Sequence, residues 1–389
     1  MSSTVLSSKR TLFKTWLSKS VLLSQPTNHS FKFKGVQHTT FLQTCKPRTI
    51  VTDAIGVKEI RPGVFASKEL LKLHGSKGVY GGQTVGQALL AATKTVEPKF
   101  HVNSLHSYFV YPGDNTIPIE YSVETLRNGR LFCSRNVIAR QRNKVIFTMM
   151  CSFQVFDKSD LEHQLKMPEV KSPLEYQIKP TSEGVRNIFE LSNNTLNGTS
   201  LESKSDFNSI SKSLPGKIEA ECRFIGHPTL NNISHAEICD HELSPYLLWW
   251  YKGTGDLKSE SHLVHQSAMA YYSDYMFIYT SLLPHKIGAR PETDFLTMMV
   301  SLDHSVWFHA PARADEWMLY VMESHRASLG RSLLTGKLFN REGTLIASVA
   351  QEGFLKTLNV NTKGAINPKK TAYVNKYITN YPLNLTDEK

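Results

Sequence analysis

Apolar positions recur at helical spacing from Gly81 to Val96, in G-G-Q-T-V-G-Q-A-L-L-A-A-T-K-T-V, where Val85, Leu89, Ala92 and Val96 share one face. The spacing predicts a helix entered through a glycine pair. From Ile117 to Val155 the period shortens to two. Ile119, Tyr121, Val123 and Thr125 alternate with polar partners. A turn at Arg127–Arg130 leads into a strand over Leu131–Arg140, and Arg142–Asn143 turns the chain into another over Val145–Val155. One helix followed by an antiparallel meander predicts an α+β unit and not βαβ. Residues 157–216 lose both periods, and stretches such as S-N-N-T-L-N-G-T-S read as a linker. A second helix is predicted over His265–Leu283. It is apolar on nearly every face and therefore buried, with Asp274 in its middle. Strands follow over Trp317–Glu323, Arg331–Phe339 and Thr344–Glu352.

The two helix-plus-strand segments match in order as well as in kind. His106–Ser107 and His304–Ser305 open them, and Pro112 and Pro311 follow. Glu124 and Arg127 in the first copy stand in the same places as Glu323 and Arg326 in the second, and Gln154 and Gln351 close the copies. The expected organisation is a first unit at 53–156, a linker at 157–216, a second unit at 217–356 and a polar tail at 357–389. Two such units can pair their sheets edge to edge, which removes exposed edges. The same sheets are where a second copy of the chain would dock, so a homo-oligomer through them is expected.

Composition changes this picture at one end only. Of the net charge of +11, residues 1–52 supply +8, with eight Lys or Arg and no Asp or Glu. The rest is close to neutral, so a nucleic-acid surface is not expected. The basic, Ser/Thr-rich start carries Leu12, Phe13, Trp16 and Leu17 on one helical face, the composition of an organellar transit segment, and a mitochondrial matrix location is expected from it. A disordered tail fits the same composition. No run approaches the roughly 18 apolar residues of a membrane span. The longest apolar stretch considered, Leu247–Tyr251, stops at Lys252. Five scattered cysteines without a C-x-x-C pair favour a reducing compartment over a disulfide framework.

Several chemistries have no support in the residues. There is no G-x-S-x-G for a nucleophile-elbow hydrolase, and Gly86 is followed by Gln87, so the glycine-rich entry is not a phosphate loop. That glycine pair serves either close approach to a ligand or tight packing. His262-x-x-His265 and His304…His309 lack neighbouring Cys or carboxylates at ligand spacing, so no metal is expected. Arg127, Arg130, Arg326 and Arg331 read as solvated turn charges. Asp274 is the unusual residue, because burying a carboxylate costs several kcal/mol unless it is partnered or used. A hydrogen-bonded structural aspartate remains open at this point, and Ser301 and Gln351 taken singly are ordinary strand residues.

The strings G-G-Q-T-V-G-Q-A-L, H-S-Y-F-V-Y-P-G-D, P-I-E-Y-S-V-E-T-L-R-N-G, Y-Y-S-D, L-D-H-S-V-W-F-H and A-S-V-A-Q-E-G closely resemble the type II acyl-CoA thioesterases, the TesB-like family, and do so in order from about residue 55 to 356. The resemblance implies a double hotdog, two helices each wrapped by an antiparallel sheet. It implies hydrolysis of fatty acyl-CoA to free fatty acid and CoA, without metal or cofactor. It also implies a catalytic set of Asp274, Ser301 and Gln351, with serine standing where the bacterial pattern has threonine. Family members in eukaryotes are often peroxisomal, which makes the peroxisome the alternative location. An acyl-CoA-binding double hotdog without turnover is the alternative function. In the hydrolase reading Asp274 serves as base to a water that Ser301 and Gln351 hold in line.

Overall fold

The computed structural model describes residues 53–73, 76, 78–156, 160–176, 218–226, 245–285 and 296–357. The basic start, most of the expected linker and the polar tail lie outside the described residues.

The first half contains β1 (Val57–Arg61), β2 (Val64–Ser67), α1 (Gly81–Thr93), β3 (His101–Phe109), β4 (Glu120–Asn128), β5 (Phe132–Gln141) and β6 (Lys144–Gln154). The second contains β7 (Ala220–Gly226), β8 (Tyr246–Gly253), α2 (His262–Ser273), β9 (Leu296–Ser301), β10 (Asp303–Phe308), β11 (Met318–Ser328), β12 (Arg331–Asn340) and β13 (Leu345–Thr357). The described strands form one antiparallel sheet in the order β1-β2-β4-β5-β6-β3-β10-β13-β12-β11-β8-β7, with β9 pairing β13. β3 and β10 join the halves, so each covers the edge the other would leave open. The result is an α+β double hotdog.

Both helices are almost wholly buried, and they touch through small residues. A Cβ on Gly82 would lie 2.4 Å from the Tyr271 carbonyl, and one on Gly86 would lie 3.1 Å from that of Ser267. The glycines of the first helix therefore serve close packing of helix on helix. α1 ends at Thr93, three residues before the predicted end. The second helix departs further from expectation. It stops at Ser273, and Asp274 is its C-cap residue, not a mid-helix residue. Ser and Asp compete with the helix for backbone hydrogen bonds. Met276 then takes a left-handed φ of 63°, which costs a non-glycine residue about 1–2 kcal/mol, and the chain continues as a 3-10 helix over Ile278–His285.

The run Leu247–Tyr251, too short to cross a membrane, is strand β8 and is buried on both faces. Leu247, Trp249 and Tyr251 point into the main core. Leu248 and Trp250 join Trp317, Leu319, Val321 and Phe339 in a second cluster on the opposite face. Residues 160–176, the described part of the expected linker, lie on that face. Met167, Val170 and Tyr176 pack there, and the Trp250 indole donates to the Lys171 carbonyl at 3.1 Å. Gln164 bridges the Gly343 carbonyl and the Leu345 amide.

The two halves match bulge for bulge, and this fixes which residues correspond. The bulge after Thr125 in β4 has its twin after Ser324 in β11. A second bulge at Ile146 in β6, opposite Ala139 and Arg140, has its twin at Ile346 in β13, opposite Leu338 and Phe339. Across the first sheet Thr125, Arg135, Cys151 and Leu105 stand opposite one another in a row. Across the second the same row reads Ser324, Leu334 and Gln351, and His304 follows by register from the Ser305–Ala350 pair. The counterpart of Gln351 is therefore Cys151 and not Gln154. Equal spacing from Pro112 and Pro311 would pair Gln351 with Ser152, and one extra residue in the β12–β13 turn moves the counterpart to Cys151. His106 likewise corresponds to Ser305, which it faces directly.

Candidate active site

Asp274 sits where the C-terminal end of α2 meets the N-terminal end of α1. A helix C-terminus is a poor place for a carboxylate, because unpaired carbonyls gather there. The opposing helix corrects this. The Gly82 amide donates to Asp274 Oδ2 at 2.8 Å. α1 has no side-chain cap, which leaves the Gly82 amide at its first turn to bind an anion. The approach depends on glycine at position 81 too, since a Cβ there would lie 2.9 Å from Oδ2. The first half thus contributes to this centre through its backbone. Sequence reasoning singled out the glycine pair and missed this role, because a backbone donor leaves no side-chain signature.

Ser301 ends β9 and Gln351 lies in β13. The Ser301 hydroxyl donates to Asp274 Oδ1 at 3.4 Å, and Gln351 Nε2 donates to Ser301 Oγ at 2.9 Å. The structure therefore brings the three predicted residues together, from one helix end and two paired strands. The serine–aspartate contact is at the long end of the hydrogen-bond range. Asp274 is 8 % exposed and Gln351 fully buried. Tyr80 stands beside them, its hydroxyl donating to the Tyr271 carbonyl at 2.8 Å. Burial, then the nearby Asp274 charge, raises that phenol well above its usual value, so it stays neutral.

Behind Gln351 lies His304, which sequence reasoning used as a landmark of the repeat and weighed chemically only as a metal candidate. Its Nδ1 is 2.6 Å from Gln351 Oε1 and its Nε2 is 2.8 Å from Ser273 Oγ. The D-H-S string contained the signal, but only the register shows that the ring faces inward.

The corresponding place in the first half is chemically bare. Gln351, His304 and Ser301 are matched by Cys151, Leu105 and Val102. Burial pushes the Cys151 thiol up to about 12, which leaves it inert. Arg135 fills the adjacent place and donates to Thr95 Oγ1 and to the carbonyls of Thr95, Arg127 and Ser134.

The other candidates do not gather. His262 contacts the Phe100 carbonyl at 2.9 Å, and His265 accepts from the Ala314 amide at 3.1 Å. Among the described residues no group of three metal-ligating side chains occurs. Arg127, Arg130, Arg326 and Arg331 are exposed, and Arg331 pairs with Glu352 at 2.8 Å. Among the described residues no helix is long and apolar enough to cross a membrane.

Residues 232–354 match the family model described as acyl-CoA thioesterase, and residues 73–154 match the one described as acyl-CoA thioesterase N-terminal domain. Acyl-coenzyme A thioesterase 8 of Rattus norvegicus is 39 % identical over 287 residues, covering 72 % of this chain and 81 % of the relative. The chain belongs to the type II acyl-CoA thioesterase family. Peroxisomal acyl-coenzyme A thioester hydrolase 1 of Saccharomyces cerevisiae is another thioesterase relative, 29 % identical over 312 residues, 72 % of this chain and 86 % of that one. Among solved structures, the acyl-CoA thioesterase II TesB2 from Mycobacterium marinum superposes with a TM-score of 0.57 at 28 % identity, covering 78 % of this chain and 96 % of the thioesterase.

Proposed function

We propose that the chain hydrolyses fatty acyl-CoA to a free fatty acid and CoA, with Asp274 as base and Ser301 and Gln351 holding the attacking water. The supporting observation is the asymmetry between the halves: the linked carboxylate, hydroxyl and amide occur in one half, and their strand counterparts in the other are apolar or inert. A thioester carbonyl is already electrophilic, and a thiolate is a tolerable leaving group. Asp274 takes a proton from water as its oxygen bonds the carbonyl carbon. The tetrahedral intermediate then collapses by breaking the carbon–sulfur bond, and the thiolate takes the proton held by Asp274 and leaves as CoA–SH. The Ser301 hydroxyl and the Gln351 amide restrict the water to one approach.

The test is release of CoA thiol by the purified full chain, read with a thiol reagent over acyl-CoAs of graded length. Release at any length supports the reading. Saturable binding without release at every length would instead support the non-catalytic acyl-CoA-binding reading.

Location and assembly are part of the proposal. The name of the yeast relative places that protein in peroxisomes, and we propose the same compartment here. The mitochondrial matrix expected from residues 1–52 has no support among the relatives. Immunolocalisation of the untagged chain against markers of both organelles decides between them. Homo-oligomerisation is proposed through the outer sheet face near the join, where Tyr108, Met150 and Trp307 are exposed. A monomeric mass in sedimentation equilibrium at micromolar concentration would contradict it.

A further inference from the structure

His304 is wholly buried and makes a hydrogen-bond contact at both ring nitrogens. Its counterpart in the first half is Leu105, also wholly buried, so this place in the fold does not need a polar side chain. A buried polar group is costly unless it is bonded, and replacing an apolar residue by one calls for a reason.

The reason lies in the direction of the hydrogen bonds. Burial lowers the basicity of the imidazole, so the ring is neutral, with one donor nitrogen and one acceptor. An ionised Asp274 can only accept, which turns the Ser301 proton toward it and leaves the Ser301 oxygen to accept from Gln351 Nε2. Gln351 Oε1 then faces His304 Nδ1 and needs a donor there. With the proton on Nδ1, Nε2 accepts from the Ser273 hydroxyl, whose single proton then turns to the ring at 2.8 Å and away from the Ala270 carbonyl at 2.9 Å. The opposite tautomer would favour the reversed amide. Gln351 Oε1 would then draw the Ser301 proton away from Asp274.

We propose that His304 is a positioning residue that, as its Nδ1–H tautomer, locks the Gln351 amide so that the Ser301 proton points at Asp274. The proposal rests on the catalytic reading above. It requires that the ring act on turnover only through Gln351.

The experiment compares wild type, His304→Leu, His304→Asn, Gln351→Ala and the double variant His304→Leu/Gln351→Ala, with Asp274→Asn as reference. His304→Leu places in the second half the residue the first half already holds, and a cooperative thermal transition shows that it folds. The expected result is a fall in kcat of about 10- to 100-fold with KM within about twofold, the size of effect that small misplacements of a reacting group produce. His304→Asn, which keeps a donor near Nδ1, recovers part of the loss. Adding His304→Leu to Gln351→Ala costs less than about twofold more. A wild-type kcat in His304→Leu would overturn the proposal, as would a full additional loss in the double variant.

A second readout does not depend on activity. In protein with nitrogen-15-labelled histidine, the signal absent from His304→Leu identifies the residue. The proposal expects a protonated Nδ1 and a bare Nε2, and the reverse pattern would overturn it. If Asp274→Asn kept full turnover the catalytic reading would fail, and the tautomer would still decide whether His304 orders the amide.

Discussion

The Gly82 amide of one half donates to the Asp274 carboxylate of the other at 2.8 Å, although the two residues are 192 positions apart. The bond makes the centre a property of the joined halves. Substituting Gly82 by alanine tests this. The added Cβ would meet the Tyr271 carbonyl at 2.4 Å and the Tyr80 ring at 2.5 Å, so the helices must separate. Overpacking of this kind costs about 1–3 kcal/mol. Gly82→Ala is expected to lower the melting temperature and turnover together, as seen by calorimetry and thiol release. An unchanged Tm would show that the helices can part freely.

Gln351→Cys puts into the second half the residue that occupies the same place in the first. Cysteine is shorter, so it leaves the Ser301 oxygen without its amide donor and His304 without an acceptor. A buried polar group left unpaired costs about 1–3 kcal/mol. The variant is expected to fold with reduced stability and to lose at least about tenfold in kcat. A rate equal to wild type would remove Gln351 from the mechanism.

Arg135 offers a prediction that separates stability from activity. Its fork of donors satisfies three carbonyls and one hydroxyl, and lysine cannot reproduce that geometry. Arg135→Lys is expected to lose about 1–3 kcal/mol in denaturant unfolding while kcat per folded molecule stays the same. A fall in kcat at full folding would give the first half a chemical role beyond Gly82.

The histidines set the acid side of the stability profile. Burial lowers the pKa of His265, His285, His304 and His309, and burial followed by the His262 charge lowers His101 to about 4. Between that value and the ordinary histidine value of about 6.5, the unfolded chain binds more protons than the folded one. Stability is therefore full above that window and is lost as the pH falls through it. Asp303, raised by burial, works in the opposite sense, one group against five. The Tm is expected to drop between pH 7.5 and 5, and to drop less in His304→Leu. A flat or rising Tm on acidification would contradict the burial of these rings.

The meander strands β5 and β12 were legible because burial alternates along them, whereas β11 was read from Trp317, Leu319, Val321 and Glu323 although Met318–Met322 are buried on both faces. β8 was not, since the strap at 160–176 buries its second face and erases the alternation. β9 and β10 were missed because they are only six residues each and follow one another almost without a turn. Asp274, Ser301 and Gln351 were found by resemblance, since no spacing along the chain brings them together. The linear repeat paired Gln154 with Gln351 by residue type, although Gln154 lies beyond the true counterpart Cys151, and only the bulges fix the frame.

The most direct measurement is the kcat of Asp274→Asn for CoA release from the best acyl-CoA. Asparagine keeps an acceptor for the Gly82 amide, so the fold and its Tm are expected to persist. Without a base, kcat is expected to fall by about 10²- to 10⁴-fold, the range that general-base catalysis supplies. A folded Asp274→Asn protein with near wild-type kcat would contradict the account.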